Sequence, residues 1–93
     1  MKPHFLFHNA NDSVGVAVVD IKAGEKLTGA CLENGRKVNI DALENVPLGH
    51  KVALKDLKDG EQVVKYGISI GHMVQSTAKG KHIHVHNLKT NRW

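Results

Sequence analysis

A twelve-residue segment that occurs twice limits the folds open to this chain. Residues 16–27 (VAVVDIKAGEKL) recur as residues 52–63 (VALKDLKDGEQV), and six of the twelve positions are identical. Each copy predicts a strand, a tight turn in which Asp accepts amide hydrogen bonds and Gly takes positive φ, and a second strand. A fainter third copy covers residues 78–83. Two clear copies are too few for a solenoid, so the repeat predicts a pseudo-symmetric β fold whose halves pack face to face.

A second turn signal lies between the two copies. The dipeptide Asn34-Gly35 separates the strand-like residues 27–33 and 36–40. It favours a type I′ hairpin because both of its residues tolerate positive φ. Alternating side chains predict further strands over residues 63–66, 68–74 and 83–88.

One segment departs from the strand pattern. Residues 41–46 predict a single helical turn, with Asp41 as its N-cap and Pro47 just beyond its end. A chain of 93 residues has room for one small domain with one hydrophobic core, so residues 1–93 are assigned to a single domain. The sequence therefore predicts an all-β fold with hairpins and one short helical turn.

The charge balance narrows the class of partner. The chain carries a formal net charge of +4, which favours an anionic partner, whether a nucleic acid, a small acid or an acidic protein surface. Its lysines are dispersed and its only arginines are Arg36 and Arg92, whereas nucleic-acid sites cluster basic residues among stacking aromatics. A small acid or a protein surface is therefore favoured over nucleic acid.

Signals of export and membrane insertion are missing from the sequence. No stretch approaches the ~20 apolar residues of a membrane helix, no N-terminal signal peptide is visible, and the lone Cys31 cannot form an intrachain disulfide. We therefore expect a cytoplasmic protein without membrane contact. Nothing resembles a nucleophile elbow, a phosphate-binding Gly loop or a zinc-binding Cys pair, so we do not expect the chain to be an enzyme by itself.

The residues best suited to chemistry lie near the C-terminus. Three histidines alternate in His82-Ile83-His84-Val85-His86, so a continuous strand would place the imidazoles on one face and Ile83 and Val85 toward the core. Histidines two apart on a strand can converge on one metal ion. The pattern equally fits a solvated polar face, or histidines that bond a partner. Because two ligands rarely hold a catalytic metal, further ligands would come from another subunit.

Two further groups of residues are candidates on chemical grounds. His50 and His72 each follow a glycine, and such an imidazole can carry a proton, reach a bound anion or bond local carbonyls. Lys51, Lys65 and Tyr66 could bind a carboxylate, although lysines on strands are usually solvated.

Several short motifs carry a resemblance to a known family. Residues 47–54 (PLGHKVAL), 65–67 (KYG), 70–71 (IG) and 84–87 (HVHN) occur in the family's order, and residues 12–17 (DSVGVA) match its opening strand. On these motifs the chain resembles the SAF domain of the altronate and galactarate dehydratase family over nearly its whole length.

The resemblance implies a β-clip fold and an iron-dependent lyase that acts on sugar acids or related hydroxy acids. Many members carry this domain ahead of a much larger catalytic region, so the resemblance implies a small subunit that needs a separate large subunit. That large subunit would hold most of the Fe²⁺ site, and the assembly could contain several copies of this chain. The reaction would be a β-elimination, by a carbon–sulfur lyase or a hydro-lyase. The residues implied are His50, His84 and His86 as catalytic groups, His84 and His86 as metal ligands, and Lys51, Lys65, Tyr66 and Asn87 as groups that bind the anionic substrate.

A hypothesis of a different class treats the chain as a binding module without catalysis. SAF-type domains also occur in proteins that only bind, but these lack the Gly-His-Lys and His-x-His-Asn motifs. A gene for a large dehydratase-like subunit beside this one would favour the enzyme hypothesis.

Overall fold

The computed structural model describes residues 2–90 of the chain, which form strands joined by turns and contain no helix. The strands of this part are β1 (Phe5–Phe7), β2 (Val14–Ala17), β3 (Lys26–Cys31), β4 (Lys37–Asp41), β5 (Lys51–Ala53), β6 (Gln62–Lys65), β7 (Ile68–Met73), β8 (His82–Ile83) and β9 (Leu88–Thr90). One sheet has the order β4-β3-β1-β2-β5-β8 and the other β6-β7-β9. The all-β class is thereby confirmed and is consistent with a small β-clip domain. Residues 2–90 offer no helix of the length and apolar character that crossing a membrane requires.

The repeat in the sequence corresponds to a strand–turn–strand unit that occurs four times within residues 2–90. Each unit has a bridge residue and, three positions later, a glycine with φ between 85° and 91°. The bridge residues are Ile21, Val46, Leu57 and Thr77, and the glycines are Gly24, Gly49, Gly60 and Gly80. The units associate in two pairs, because Ile21 bridges to Val46 and Leu57 bridges to Thr77. The unit at residues 46–49 escaped the sequence comparison because it lacks the Asp and Lys that the units at residues 21–24 and 57–60 share.

The two halves of the chain follow the same order of elements. In the first half β2 precedes the β3–β4 hairpin, and in the second half β5 precedes the β6–β7 hairpin. The last unit of the first half leads into β5, and the last unit of the second half leads into β8. The starts of β5 and β8 are therefore equivalent positions of the two halves. They lie side by side because β5 and β8 pair antiparallel.

Buried apolar side chains form two clusters rather than the single core expected from chain length. The first cluster comprises Phe5, Phe7, Ala17, Ile21, Leu27, Cys31, Ile40, Ala42, Val46 and Val52. The second comprises Val14, Ala53, Leu57, Val63, Met73, Ile83 and Leu88. Val52 and Ala53 face different clusters because successive side chains of a strand point to opposite faces. Strand β5 therefore lies between the two clusters, and packing on both of its faces fixes its position.

The hairpin around Asn34-Gly35 is confirmed, but its turn type was wrong. The last strand pair before the loop is Ala30 with Lys37, and only Gly35 within the loop has positive φ. The side chain of Asn34 instead accepts a hydrogen bond from the amide of Arg36, at 2.9 Å. This contact stabilises a longer loop than a two-residue turn.

The β6–β7 hairpin, which is the counterpart of β3–β4 in the second half, has the type I′ turn that was expected at Asn34-Gly35. Lys65 pairs with Ile68, and the two residues between them, Tyr66 and Gly67, have φ of 56° and 72°. Two positive φ values are the signature of a type I′ turn. Tyr66 is the only residue other than glycine with positive φ in residues 2–90, which is an uncommon backbone conformation for an aromatic residue.

The helical turn predicted over residues 41–46 does not form. Asp41 belongs to β4, and the following amides donate to distant carbonyl groups instead of to a carbonyl one turn back. Ala42 donates to Glu25 at 2.9 Å, and Leu43 donates to Gly80 at 2.9 Å. Pairing with other strands therefore outweighs the local capping preference of Asp41.

Candidate functional site

Three imidazoles meet at the start of β5 and β8. His50 immediately precedes β5 and His82 begins β8. These residues are 32 positions apart, but the pairing of Lys51 with Ile83 and of Val52 with His82 brings them together. Nδ1 of His50 lies 2.8 Å from Nε2 of His82, at hydrogen-bond distance. The ring of His84 stacks on that of His50, with centroids 4.0 Å apart and planes 17° apart.

The strand predicted over residues 83–88 is wrong, and this changes which histidines converge. Strand β8 ends at Ile83, and residues 84–87 form a turn. Asn87 causes the turn, since its Oδ1 accepts from the amide of His84 at 3.0 Å and its Nδ2 donates to the carbonyl of His82 at 2.9 Å. Val85, expected in the core, is 79% exposed.

The turn leaves His86 outside the group whose ligand atoms converge, although the ring of His86 stays near that of His82. One ligand atom from each of His50, His82 and His84 lies within 4.8 Å of the others. His86 is exposed, and its ring lies 5.2 Å from that of His82 in a tilted arrangement. Sequence reasoning gave catalytic roles to His50, His84 and His86, and gave His82 a place on the strand face but no role. The alternation in residues 82–86 contained the signal, because it placed His82 on the same face as His84.

Asn87, expected to bind substrate, is 1% exposed. Its amide nitrogen donates to Oγ1 of Thr77 at 3.3 Å as well as to the His82 carbonyl. The structure therefore places Asn87 beneath the imidazoles, where it holds the backbone that carries His82 and His84.

Electrostatics favour the neutral imidazoles of His82 and His84. The pKa of His82 is lowered by burial and then by the charges of His50, His86 and His84, which together outweigh the opposing effect of Glu44. The pKa of His84 is lowered by loss of solvent and then by His50, Lys51 and His86. A neutral imidazole can accept a proton or bind a metal ion, whereas a protonated one can do neither.

Lys51 lies near His84, Lys65 lies near Lys51, and Tyr66 lies beside Lys65. The pKa of Lys51 is lowered by partial burial and then by the charge of Lys65. Nζ of Lys65 lies 5.2 Å from the ring centroid of Tyr66. The strand that carries Lys65 and the strand that carries Lys51 thus present their cationic groups close together. This face combines cations with proton-accepting imidazoles, which suits a small anion whose proton is removed.

Asp12 anchors the turn that carries Tyr66. Its Oδ1 accepts from the amide of Gly67 at 3.1 Å, and its Oδ2 accepts from the amides of His8 and Asn9 at 3.0 and 3.1 Å. Burial raises the pKa of the Asp12 carboxyl, but these bonds and one from the amide of Tyr66 outweigh it, so the pKa lies below its ordinary value of 3.8. Sequence reasoning used Asp12 only as part of a motif and missed this role.

We expect Asp12→Asn to lower the free energy of unfolding by about 2 kcal/mol at neutral pH, because bonds to a charged acceptor are replaced by weaker ones. Since the pKa is lower in the folded state, the unfolded chain takes up the proton first as pH falls. The contribution is therefore complete well above pH 3.8 and is lost as pH falls through the folded-state pKa. Urea unfolding of both proteins from neutral to acidic pH should show the difference shrinking, and a difference that stays constant would contradict the assignment.

Comparison with known proteins defines the class. The protein-family model of the altronate/galactarate dehydratase SAF domain matches residues 3–91 of the chain. The chain therefore belongs to the altronate/galactarate dehydratase SAF domain family.

Particular relatives come from two kinds of enzyme. The chain is 45% identical over 94 residues to (2R)-sulfolactate sulfo-lyase subunit alpha of Chromohalobacter salexigens, and the match covers 100% of both. It is 52% identical over 54 residues to the protein of the same name from Paracoccus pantotrophus, covering 58% of this chain and 81% of that one. It is also 41% identical over 91 residues to altronate dehydratase of Bacillus subtilis, a match of 98% of this chain but 17% of that protein. The designation subunit alpha implies that the first two relatives have a partner subunit.

Proposed function

We propose that this chain is the small subunit of a (2R)-sulfolactate sulfo-lyase and acts only together with a large catalytic subunit. The observation that carries this proposal is the end-to-end match with a sulfo-lyase subunit alpha, which has no counterpart of the larger region present in altronate dehydratase. The proposal includes a cytoplasmic location, as the sequence predicts.

The chemistry of the site supports an anionic substrate. Sulfolactate carries a carboxylate and a sulfonate, and the Lys51 and Lys65 ammonium groups can pair with both. In the β-elimination, the C2–H electron pair forms the C2–C3 double bond and the C3–S pair leaves with sulfite. The resulting enol takes up a proton and becomes pyruvate. His84, as a neutral imidazole near Lys51, is suited to accept the C2 proton and to return one, and the ring of His50 stacks on it.

Fe²⁺ is the cofactor proposed for the assembled enzyme, with most of its ligands on the large subunit. His50, His82 and His84 offer three imidazole nitrogens within 4.8 Å of one another as ligands for a divalent cation. A nitrogen that binds the ion does not accept the C2 proton, so an imidazole that stays unbound would accept it. When bound, iron would act as a Lewis acid on the substrate's oxygen atoms.

The exposed surroundings of the imidazoles support a two-chain active site. Val85, in the same turn as His84, is 79% exposed, and Leu48, two residues before His50, is 60% exposed. We take these two exposed side chains to be part of the surface that the large subunit covers. The large subunit would supply the opposite wall and exclude water from the substrate.

Co-expression with the candidate large subunit tests the proposal. With iron present, the purified pair should release sulfite and pyruvate from (2R)-sulfolactate, while either chain alone should not. Full activity of this chain by itself would refute the two-chain arrangement. Dehydration of altronate instead would select the second candidate, which the 41% identity to altronate dehydratase favours. Binding of the large subunit without any turnover would select the non-catalytic binding module, and light scattering of the complex would count copies of each chain.

Tyr66→Asn tests whether the Tyr66 side chain contacts substrate. Because Asn tolerates positive φ, the turn should persist and the melting temperature should change by less than ~3 °C. Loss of a phenol that binds substrate should lower kcat/KM about tenfold. Ile68→Asn is the matched control, since Ile68 lies in the same hairpin and is 66% exposed. Equal effects of the two variants on kcat/KM would count against the role of Tyr66.

A further inference from the structure

We propose that this chain alone binds one divalent transition-metal ion through His50, His82 and His84. The inference concerns the isolated small chain and holds whichever lyase reaction the assembled protein performs. It also differs from the ligand pair His84 and His86 that the family resemblance implies, because His82 and His50 take the place of His86.

The distances between the ligand atoms come close to those of a bound ion. A metal ion that binds imidazole nitrogens at 2.0–2.1 Å in a tetrahedral arrangement separates them by roughly 3.3 Å. Nδ1 of His50 and Nε2 of His82 are 2.8 Å apart, and all three ligand atoms lie within 4.8 Å of one another. The first pair has to open by about half an ångström, and the third nitrogen has to move inward.

The backbone positions of the ligands are determined independently of any metal. His50 and His82 are held together by the β5–β8 ladder, in which Val52 pairs with His82. His84 is held by Asn87, whose buried side chain accepts from its amide and donates to the carbonyl of His82. Binding therefore requires rearrangement of side chains only, which keeps its entropic cost small.

One ring has to turn before all three nitrogens can bind. A metal ion lies in the plane of each imidazole that binds it, and the parallel rings of His50 and His84, 4.0 Å apart, share no such plane. His84 is half-exposed at the first position after β8, where its side chain can change rotamer. The bound ion would also replace the hydrogen bond between His50 and His82.

The donor set determines which ions bind. Three imidazoles without a carboxylate or thiolate favour Zn²⁺, Co²⁺, Ni²⁺ or Fe²⁺ over Mg²⁺ and Ca²⁺, which prefer oxygen ligands. Three protein ligands leave a coordination position open, as in catalytic rather than structural sites. The nearby charge of Lys51 opposes a cation and favours an anion in that open position.

Titration of the isolated chain with Co²⁺ and Zn²⁺ tests the inference. The chain is purified without a polyhistidine tag and treated with a chelator. Visible absorption of bound Co²⁺ and calorimetry with Zn²⁺ should show one ion per chain, whereas Mg²⁺ should give no signal. Loss of an outer-sphere partner alone typically lowers metal affinity 10–100-fold, so His50→Ala, His82→Ala and His84→Ala should each lower it at least about tenfold.

Matched variants make each result decisive. His86→Ala and His72→Ala should change the affinity less than about threefold, since neither belongs to the proposed ligand set. His82→Gln replaces the imidazole by a side chain of similar length and keeps the test open if His82→Ala fails to fold, as judged by circular dichroism. Loss of binding in His86→Ala but not in His82→Ala would restore the ligand pair of the sequence prediction. Absence of saturable binding by the unmodified chain would overturn the inference outright, while leaving the lyase assay of the two-subunit enzyme unaffected.

Discussion

Replacement of His50 or His84 by Ala should lower kcat/KM of the two-subunit enzyme for sulfolactate about 10²–10⁴-fold, the range expected when a positioned acid–base group is lost. The two rings stack at 4.0 Å beside the cationic group of Lys51. They can therefore reach the same anion. Sulfite release by complexes of matched composition measures the effect.

Two other histidines serve as controls for this result. His72→Ala should leave kcat/KM within about threefold, because His72 lies on β7 and pairs with Gln62 and Lys89 rather than with the imidazole group. His86→Ala should have an effect smaller than about tenfold, since the His86 side chain is exposed in the turn after β8. A loss in His86→Ala as large as in His84→Ala would contradict the grouping of His50, His82 and His84 and favour the face predicted from alternation.

Replacement of Gly80 by Ala should unfold the chain at temperatures that the unmodified chain withstands. Gly80 has φ of 91°, and a Cβ atom there would lie 2.1 Å from the carbonyl oxygen of Asp41. The backbone conformation costs about 1–2 kcal/mol for a residue with a side chain, and the forced backbone shift costs about 1–3 kcal/mol more. Because 1 kcal/mol corresponds to roughly 4–8 °C in a domain of this size, the melting temperature should fall by about 8 °C or more.

The equivalent glycine of another turn unit provides the matched control. Gly60 has φ of 85°, but no heavy atom lies within 4 Å of the Cβ position. Gly60→Ala should therefore lower the free energy of unfolding only by the cost of the backbone conformation, about 1–2 kcal/mol. Thermal unfolding of both variants by circular dichroism separates the two contributions. Equal shifts in melting temperature would show that the close approach of Asp41 to Gly80 does not add to the loss of stability.

The repeated turn unit shows how much of this fold is local. An apolar residue or threonine followed three positions later by glycine recurs at residues 21–24, 46–49, 57–60 and 77–80. Strand alternation and glycine turns are short-range properties, so they can be recognised without knowledge of the partner strands. They predicted the all-β class, the pseudo-symmetry and the hairpin between the copies.

Errors in the sequence predictions arose where long-range contacts overrode local preference. Asp41 is a good helix cap, but β4 includes it and the next amide pairs with Glu25. Asn34-Gly35 suits a type I′ turn, yet that turn occurs at Tyr66-Gly67, where Asp12 holds the backbone amide of Gly67. Anchoring by a residue 55 positions away is invisible to a local pattern.

The sequence by itself determined a small all-β domain, the importance of its histidines and lysines, and the family to which the chain belongs, because these depend on residue types and short spacings. Only the tertiary structure decided which imidazoles stand together. The pairing of β5 with β8 brings His50 to His82, and the buried side chain of Asn87 ends the strand and turns His84 toward them. Both are contacts between distant or buried groups, and alternation along a single strand contains no information about either.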